Sequence, residues 1–162
     1  MHDHPNVRAV QDALAFADAV DGSGQPSRIR ILPDAVHTAP LAAEALGVQV
    51  GQIANSLIFS ADGEPLLVMT SGAHRVDTAK VAAALGLSRL DRAKPDFVRE
   101  HTGQAIGGVA PLGHPKPVRT LVDVDLSRYE VIWAAGGVPQ AVFPITYDQL
   151  LSLTKATEAE VA

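Results

Sequence analysis

Four glycines and a proline fall within twelve residues at Thr102-Gly103-Gln104-Ala105-Ile106-Gly107-Gly108-Val109-Ala110-Pro111-Leu112-Gly113. Glycine weakens a strand interior, so this density asks for a reason. One reason is chemical. Glycine lets a backbone approach a ligand closely and point its N–H groups at it. Such groups stabilise the oxyanion that forms when an ester is hydrolysed. The other reason is architectural: a bulge and a tight turn in a curved sheet have the same composition.

The remaining polar candidates are sparser. His37, His74, His101 and His114 show no His-x-x-x-His or His-x-x-Glu spacing, so nothing favours a zinc site. His2 and His4 lie in a terminal stretch, residues 1–5, expected to be disordered. His74 follows Ser71-Gly72-Ala73 at the end of a predicted strand and is the most site-like of the six, with an exposed loop histidine as the alternative. Ser56 and Ser71 are the serines to weigh as nucleophiles, but neither sits in a Gly-x-Ser-x-Gly elbow. Asp77 reads as a helix cap and Lys80 as part of a solvated face. The chain has no cysteine, which removes disulfides, thiolate nucleophiles and cysteine-based zinc sites together.

These residues need elements to position them. Asn6–Val20 carries apolar residues at helical spacing, and Arg28–Leu32 alternates as a strand. Thr38 and Gly47 bracket a short helix. Gln52–Ser60 and Glu64–Thr70 flank Ala61-Asp62-Gly63, the clearest hairpin in the chain. Asp77 and Gly86 bracket a helix over Thr78–Leu85, and Pro95 opens another to His101. Ala105–Gly113 reads as a strand running into a constrained loop. Arg119–Val124, Glu130–Ala135 and Gln140–Pro144 are further strands, with a short turn or helix at Asp125–Tyr129. Thr146 caps a last helix through Leu153. The pattern predicts an α/β (α+β) fold with a mixed or antiparallel sheet of about six or seven strands. No repeat or long linker divides it, so residues 1–162 are expected to form one domain.

Composition bounds the function. Apolar residues make up 47% and charged residues 19%, a globular balance. No stretch of about 18 apolar residues is present to span a membrane, and the N-terminus lacks the basic and apolar regions of a signal peptide. A cytoplasmic location is compatible with this. The net charge of −5 argues against a long nucleic-acid footprint but tolerates a few nucleotides. Neither a P-loop nor a Gly-x-Gly-x-x-Gly after a strand is present, so no nucleotide cofactor is indicated.

Five pieces, in order, resemble the YbaK/EbsC family, which includes the editing domain of bacterial prolyl-tRNA synthetases. They are Thr38 to Gly47, Gln52 to Phe59, Arg75 to Ala82, Thr102-Gly103 with Gly107 to Gly113, and Ala134-Ala135-Gly136-Gly137. Gly107 to Pro111 is similar to the family's Gly-x-x-x-Pro loop. The resemblance implies a mixed, barrel-like sheet surrounded by short helices. It implies a trans-editing hydrolase that removes a mischarged amino acid from the 3′ acceptor end of tRNA. Such an enzyme needs no metal and no cofactor, and prolyl-tRNA synthetase is a candidate partner. Asn55, Gly107 and Gly108 are the implied catalytic positions. Ser56, Gly72, His74, Pro111 and Gly136 are the implied substrate-binding positions. One departure stands out: Asn55 occupies a position where the family usually has lysine. Asparagine is neutral, though it donates two hydrogen bonds. The missing charge raises an alternative, a non-catalytic module that binds aminoacyl-tRNA, a synthetase or a small amino-acid-like ligand.

Overall fold

The chain opens with the helix its apolar spacing demands. In the computed structural model, which describes residues 1–162, α1 spans Pro5–Phe16 and buries Val7, Val10 and Leu14. His4 caps it, its Nδ1 accepting from the Asn6 N–H at 3.1 Å. The helix ends at Phe16 rather than Val20, because Asp18 adopts φ 52° and Val20 already bridges Pro26. Strand β1 is short, Arg30–Ile31. Helix α2, Ala39–Leu46, starts where Thr38 Oγ1 accepts from the Leu41 N–H and stops at left-handed Gly47. Strands β2, Ile53–Ala61, and β3, Glu64–Ser71, form the expected hairpin. Asp62 and Gly63 both take positive φ, 51° and 94°, as a type I′ turn requires.

Helix α3, Thr78–Leu85, keeps the predicted bounds, capped by Asp77 and closed by Gly86. After it come β4, Leu90–Arg92, and α4, Pro95–Thr102. Residues 103–118 hold neither helix nor strand. Strand β5 is Arg119–Asp123, followed by a 3-10 turn over Val124–Arg128. Strands β6, Ile132–Ala135, and β7, Ala141–Ile145, precede α5, Tyr147–Thr154, and β8, Thr157–Ala159.

The sheet is mixed, in the order β1-β7-β6-β2-β3-β5-β8, with β4 added beside β2. It has eight strands rather than six or seven. The extra ones, β4 and β8, have three residues each, too few for an alternating pattern to register. The Ala105–Gly113 strand is not formed.

Alternation sorts β2 onto two faces. Ala54 and Ile58 enter the main core with Leu67, Met69, Val122 and Phe143. Phe59 and Ala61 enter a second cluster with Leu66, Val68, Leu121 and Val161 on the side of α3. Val161 is fully buried, and its carbonyl accepts from the Asp77 N–H at 2.7 Å. Truncating it to alanine is expected to lower the unfolding free energy by about 2 kcal/mol, measurable by urea denaturation. A loss within a few tenths would mean the C-terminal segment adds nothing to this core.

Candidate active site

Strand β2 has a gap along one edge. Its pairing with β6 ends at Ala54, and its pairing with β4 begins at Phe59. Ile53 accepts from the Gly72 N–H at 2.8 Å, so the odd residues of β2 bond to β3. Ser56 therefore turns its backbone N–H and C=O toward the gap. A cavity of about 870 Å³ wraps this edge, with Asn55, Ser56, Gly72, His74 and Gly107 among its lining residues. A second cavity of about 370 Å³, between α1 and the loop to β1, contains none of the predicted site residues.

Register places Asn55 beside Thr70 on one face. Thr70 Oγ1 donates to Asp123 Oδ2 at 3.4 Å, extending the row onto β5. Asp123 is buried at 1% exposure. Its Oδ2 also accepts from the Ser71 N–H at 3.0 Å and faces His74 Nδ1 at 2.8 Å, while Oδ1 accepts from the Asp125 N–H at 3.0 Å. His74 Nε2 faces Asp125 Oδ2 at 3.3 Å. The imidazole on the cavity wall is thus flanked by a carboxylate at each nitrogen, with its hydrogen bond made at Nδ1. Ser56 faces the opposite side, its hydroxyl buried with no hydrogen-bond partner.

The glycine loop is shaped by side chains rather than by sheet pairing. The buried Gln104 accepts the Ala110 N–H on Oε1 at 2.7 Å, and His114 Nε2 donates to the Ala110 carbonyl at 2.7 Å. Gly108 N–H turns inward to the Ala105 carbonyl at 3.3 Å. The N–H groups of Gly107 and Val109 donate to nothing in the protein. Those same two residues line the cavity, and Gly108, Ala110 and Pro111 do not. Gly107 holds φ 96°, which favours glycine, and an added Cβ would lie 3.3 Å from His37 Nδ1.

Several predicted residues therefore play a packing part. A Cβ on Gly108 would lie 2.6 Å from the Val138 carbonyl carbon and 2.7 Å from Pro139 N. Pro111 is buried. Gly136 sits against Ile29 and Ala141 and donates to the Ala141 carbonyl at 2.7 Å; Ala135 and Ala141 line the cavity, and Gly136 itself does not. Gly72 does line the cavity, but a Cβ there would also strike the Val50 carbonyl and Ala39. Lys80 does not line the cavity, and its Nζ donates to the Ala162 backbone oxygen at 2.8 Å.

Sequence reasoning missed Arg92 and Trp133 on the cavity wall and Gln104 and Asp123 behind it, and weighed His37 and His114 only as metal ligands. Asp123 left one signal: a carboxylate inside the apolar run Leu121-Val122-Asp123-Val124 must be paired if buried. All titratable side chains lining the cavity are basic, namely His37, His74, Arg75 and Arg92, although the chain carries −5 overall. The wall holds no group of three or more His, Cys, Asp or Glu placed for a metal.

Burial holds the His114 pKa below the ordinary imidazole value of 6.5, opposed by its bond to the Ala110 carbonyl. A histidine kept neutral by folding binds fewer protons than it does in the unfolded chain. Its contribution is complete above 6.5 and is lost as pH falls below it. Stability is therefore expected to fall on acidification from neutral pH, with a shallower slope in His114→Gln, read from urea midpoints across the pH range. Identical slopes would remove His114 from the clasp.

No helix is long and apolar enough to cross a membrane. A family model described as an aminoacyl-tRNA editing domain matches residues 33–153. "Uncharacterized protein YwhH" of Bacillus subtilis (strain 168) is 32% identical over 114 residues, covering 70% of this chain and 72% of YwhH. A "Proline--tRNA ligase" of Maridesulfovibrio salexigens is 31% identical over 131 residues, covering 81% of this chain but only 22% of the ligase. A solved structure described as "a putative trans-editing enzyme for prolyl tRNA synthetase" superposes with a TM-score of 0.87 at 42% identity, covering 98% of this chain and 97% of the other. The chain belongs to the aminoacyl-tRNA editing domain family, the YbaK/EbsC family that its glycine loop and flanking motifs resemble.

Proposed function

We propose that this chain is a cytoplasmic trans-editing deacylase, which hydrolyses the ester between a wrong amino acid and the 3′-terminal ribose of a tRNA. The observation that carries the reading is the cavity itself. Unpaired backbone N–H groups of a glycine loop meet a wall whose titratable residues are all basic. The loop N–H groups receive the carbonyl oxygen as it becomes an oxyanion. Water adds to the carbonyl carbon, the bond to the ribose oxygen breaks, and the free amino acid leaves. A neighbouring ribose hydroxyl assists, so no protein triad is needed. Arg75 and Arg92 supply charge toward the terminal phosphates that Asn55 does not, and the Asn55 amide orients the aminoacyl group.

A cavity-sized footprint sets the salt dependence. Few phosphates are neutralised, so the affinity for tRNA falls on a shallow slope with salt. Turnover of intact mischarged tRNA well above that of a short aminoacyl-ester mimic supports the reading. Equal turnover of the two would point to a small-ester hydrolase instead.

Asn55 also favours a second reading, a non-catalytic binding module for aminoacyl-tRNA, prolyl-tRNA synthetase or a small amino-acid-like ligand. Asn55→Lys separates the two. In a tuned editing site, lysine is expected to lower turnover or redirect it to another amino acid. A rise in turnover would identify Asn55 as the mark of a decayed site.

A further inference from the structure

Backbone donors around the glycine loop alternate in fate. Gly108 N–H is spent on the Ala105 carbonyl and Ala110 N–H on Gln104 Oε1. Gly107 and Val109 N–H have no acceptor in the protein, and only these two of the four residues line the cavity. A loop with this much glycine does not hold such an order by itself, because glycine has more backbone freedom to lose than any other residue. What holds it is a side chain. Gln104 is 2% exposed, and its own N–H donates to Thr102 Oγ1 at 3.0 Å. Thr102 Oγ1 in turn donates to the Val98 carbonyl at 2.7 Å, anchoring the start of the loop to the last turn of α4.

We infer that Gln104 is a positioning residue: it ties down Ala110 so that the neighbouring Val109 N–H, together with that of Gly107, points into the cavity as a two-donor oxyanion site. His114 completes the clasp from the other side by holding the Ala110 carbonyl. The assignment of these two donors to the oxyanion rests on the deacylase reading; the ordering role of Gln104 does not. Gln104 touches no substrate and acts through Ala110.

Two variants and two readouts test this. Gln104→Leu keeps the bulk and removes the acceptor. Gln104→Glu keeps an acceptor oxygen in either charge state. Amide hydrogen exchange at Gly108 in the full chain, whose N–H donates to the Ala105 carbonyl and not to Gln104, is expected to quicken at least about tenfold in Gln104→Leu, because the bond that orders the loop is gone. For a mischarged tRNA, kcat is expected to fall at least about tenfold while KM stays within about twofold, since an oxyanion contact is made only in the transition state. Gln104→Glu is expected to recover most of both losses. Unchanged exchange in Gln104→Leu would overturn the ordering role. Quickened exchange with unchanged kcat per folded molecule would overturn the oxyanion assignment and leave the deacylase reading intact. If the wild-type chain turns over no aminoacyl-tRNA, the deacylase reading fails and the oxyanion assignment with it, and the exchange readout still decides whether Gln104 orders the loop.

Discussion

Gly108→Ala is expected to reduce deacylation by about 100-fold or more, and it should do so without touching the substrate. The added methyl lies 2.6 Å from the Val138 carbonyl carbon and 2.7 Å from Pro139 N. Both are backbone atoms, so neither can rotate aside as a side-chain tip would. The loop must retreat from the 138–139 turn, and its donors move with it. A displacement near an ångström in a catalytic constellation costs on the order of 100-fold. Overpacking of this kind also costs about 1–3 kcal/mol of stability. Single-turnover kinetics at saturating protein separates the two effects, because the folded fraction is measured independently by circular dichroism. Turnover within twofold of wild type would show that the loop has slack, and that its close packing against Val138 and Pro139 does not set donor geometry.

The largest loss of stability is expected from Asp123→Ala. This carboxylate gathers the Ser71 N–H, the Thr70 hydroxyl, His74 Nδ1 and the Asp125 N–H on two oxygens. It is almost wholly enclosed. Removing it leaves several donors buried without an acceptor and takes away the partner that fixes the His74 ring. Each buried donor left without its acceptor costs about 1–3 kcal/mol, so the loss is expected to reach about 3 kcal/mol or more. Denaturation midpoints check the figure directly. A cost below about 1 kcal/mol would mean that water reaches the donors when the carboxylate is gone. His74→Ala should cost much less, since His74 is itself one-third exposed and leaves Asp123 with three donors.

Much of the fold was legible because local chemistry wrote it. Thr38, Asp77 and Thr146 cap helices where each hydroxyl or carboxylate can accept a backbone N–H. Gly47 and Gly86 end helices in the left-handed region. The Asp62-Gly63 pair fixes the hairpin and, through it, the register that sets Asn55 beside Thr70. What stayed hidden depends on partners far away in sequence. Strands β4 and β8 exist because β2 and β5 offer them an edge, and three residues carry no periodicity of their own. The gap beside Ser56 arises because β6 stops short of β4, which no local pattern encodes.

The candidate site divides in the same way. Asn55, Ser56, Gly72, His74 and Gly107 come together around one cavity. Gly108, Pro111 and Gly136 do not line it, and the contacts of Gly108 and Gly136 with Val138, Pro139, Ile29 and Ala141 account for why glycine stands there. Close approach to another part of the chain and close approach to a ligand leave the same mark in a sequence. Gln104 was invisible for a related reason. A glutamine in a glycine-rich stretch reads as a loop residue until the amide six positions on is found resting against it.

The most direct measurement is deacylation of a panel of tRNAs, each charged with a different amino acid. The panel includes Ala- and Cys-tRNA(Pro) and Ser- and Thr-tRNAs, run with and without prolyl-tRNA synthetase. Selective release of one amino acid at catalytic protein concentration, abolished in Gly108→Ala, is the predicted result and names the substrate. Stable binding of the same tRNAs with no release across the panel would contradict it, and would make the chain a binding module of the editing-domain family.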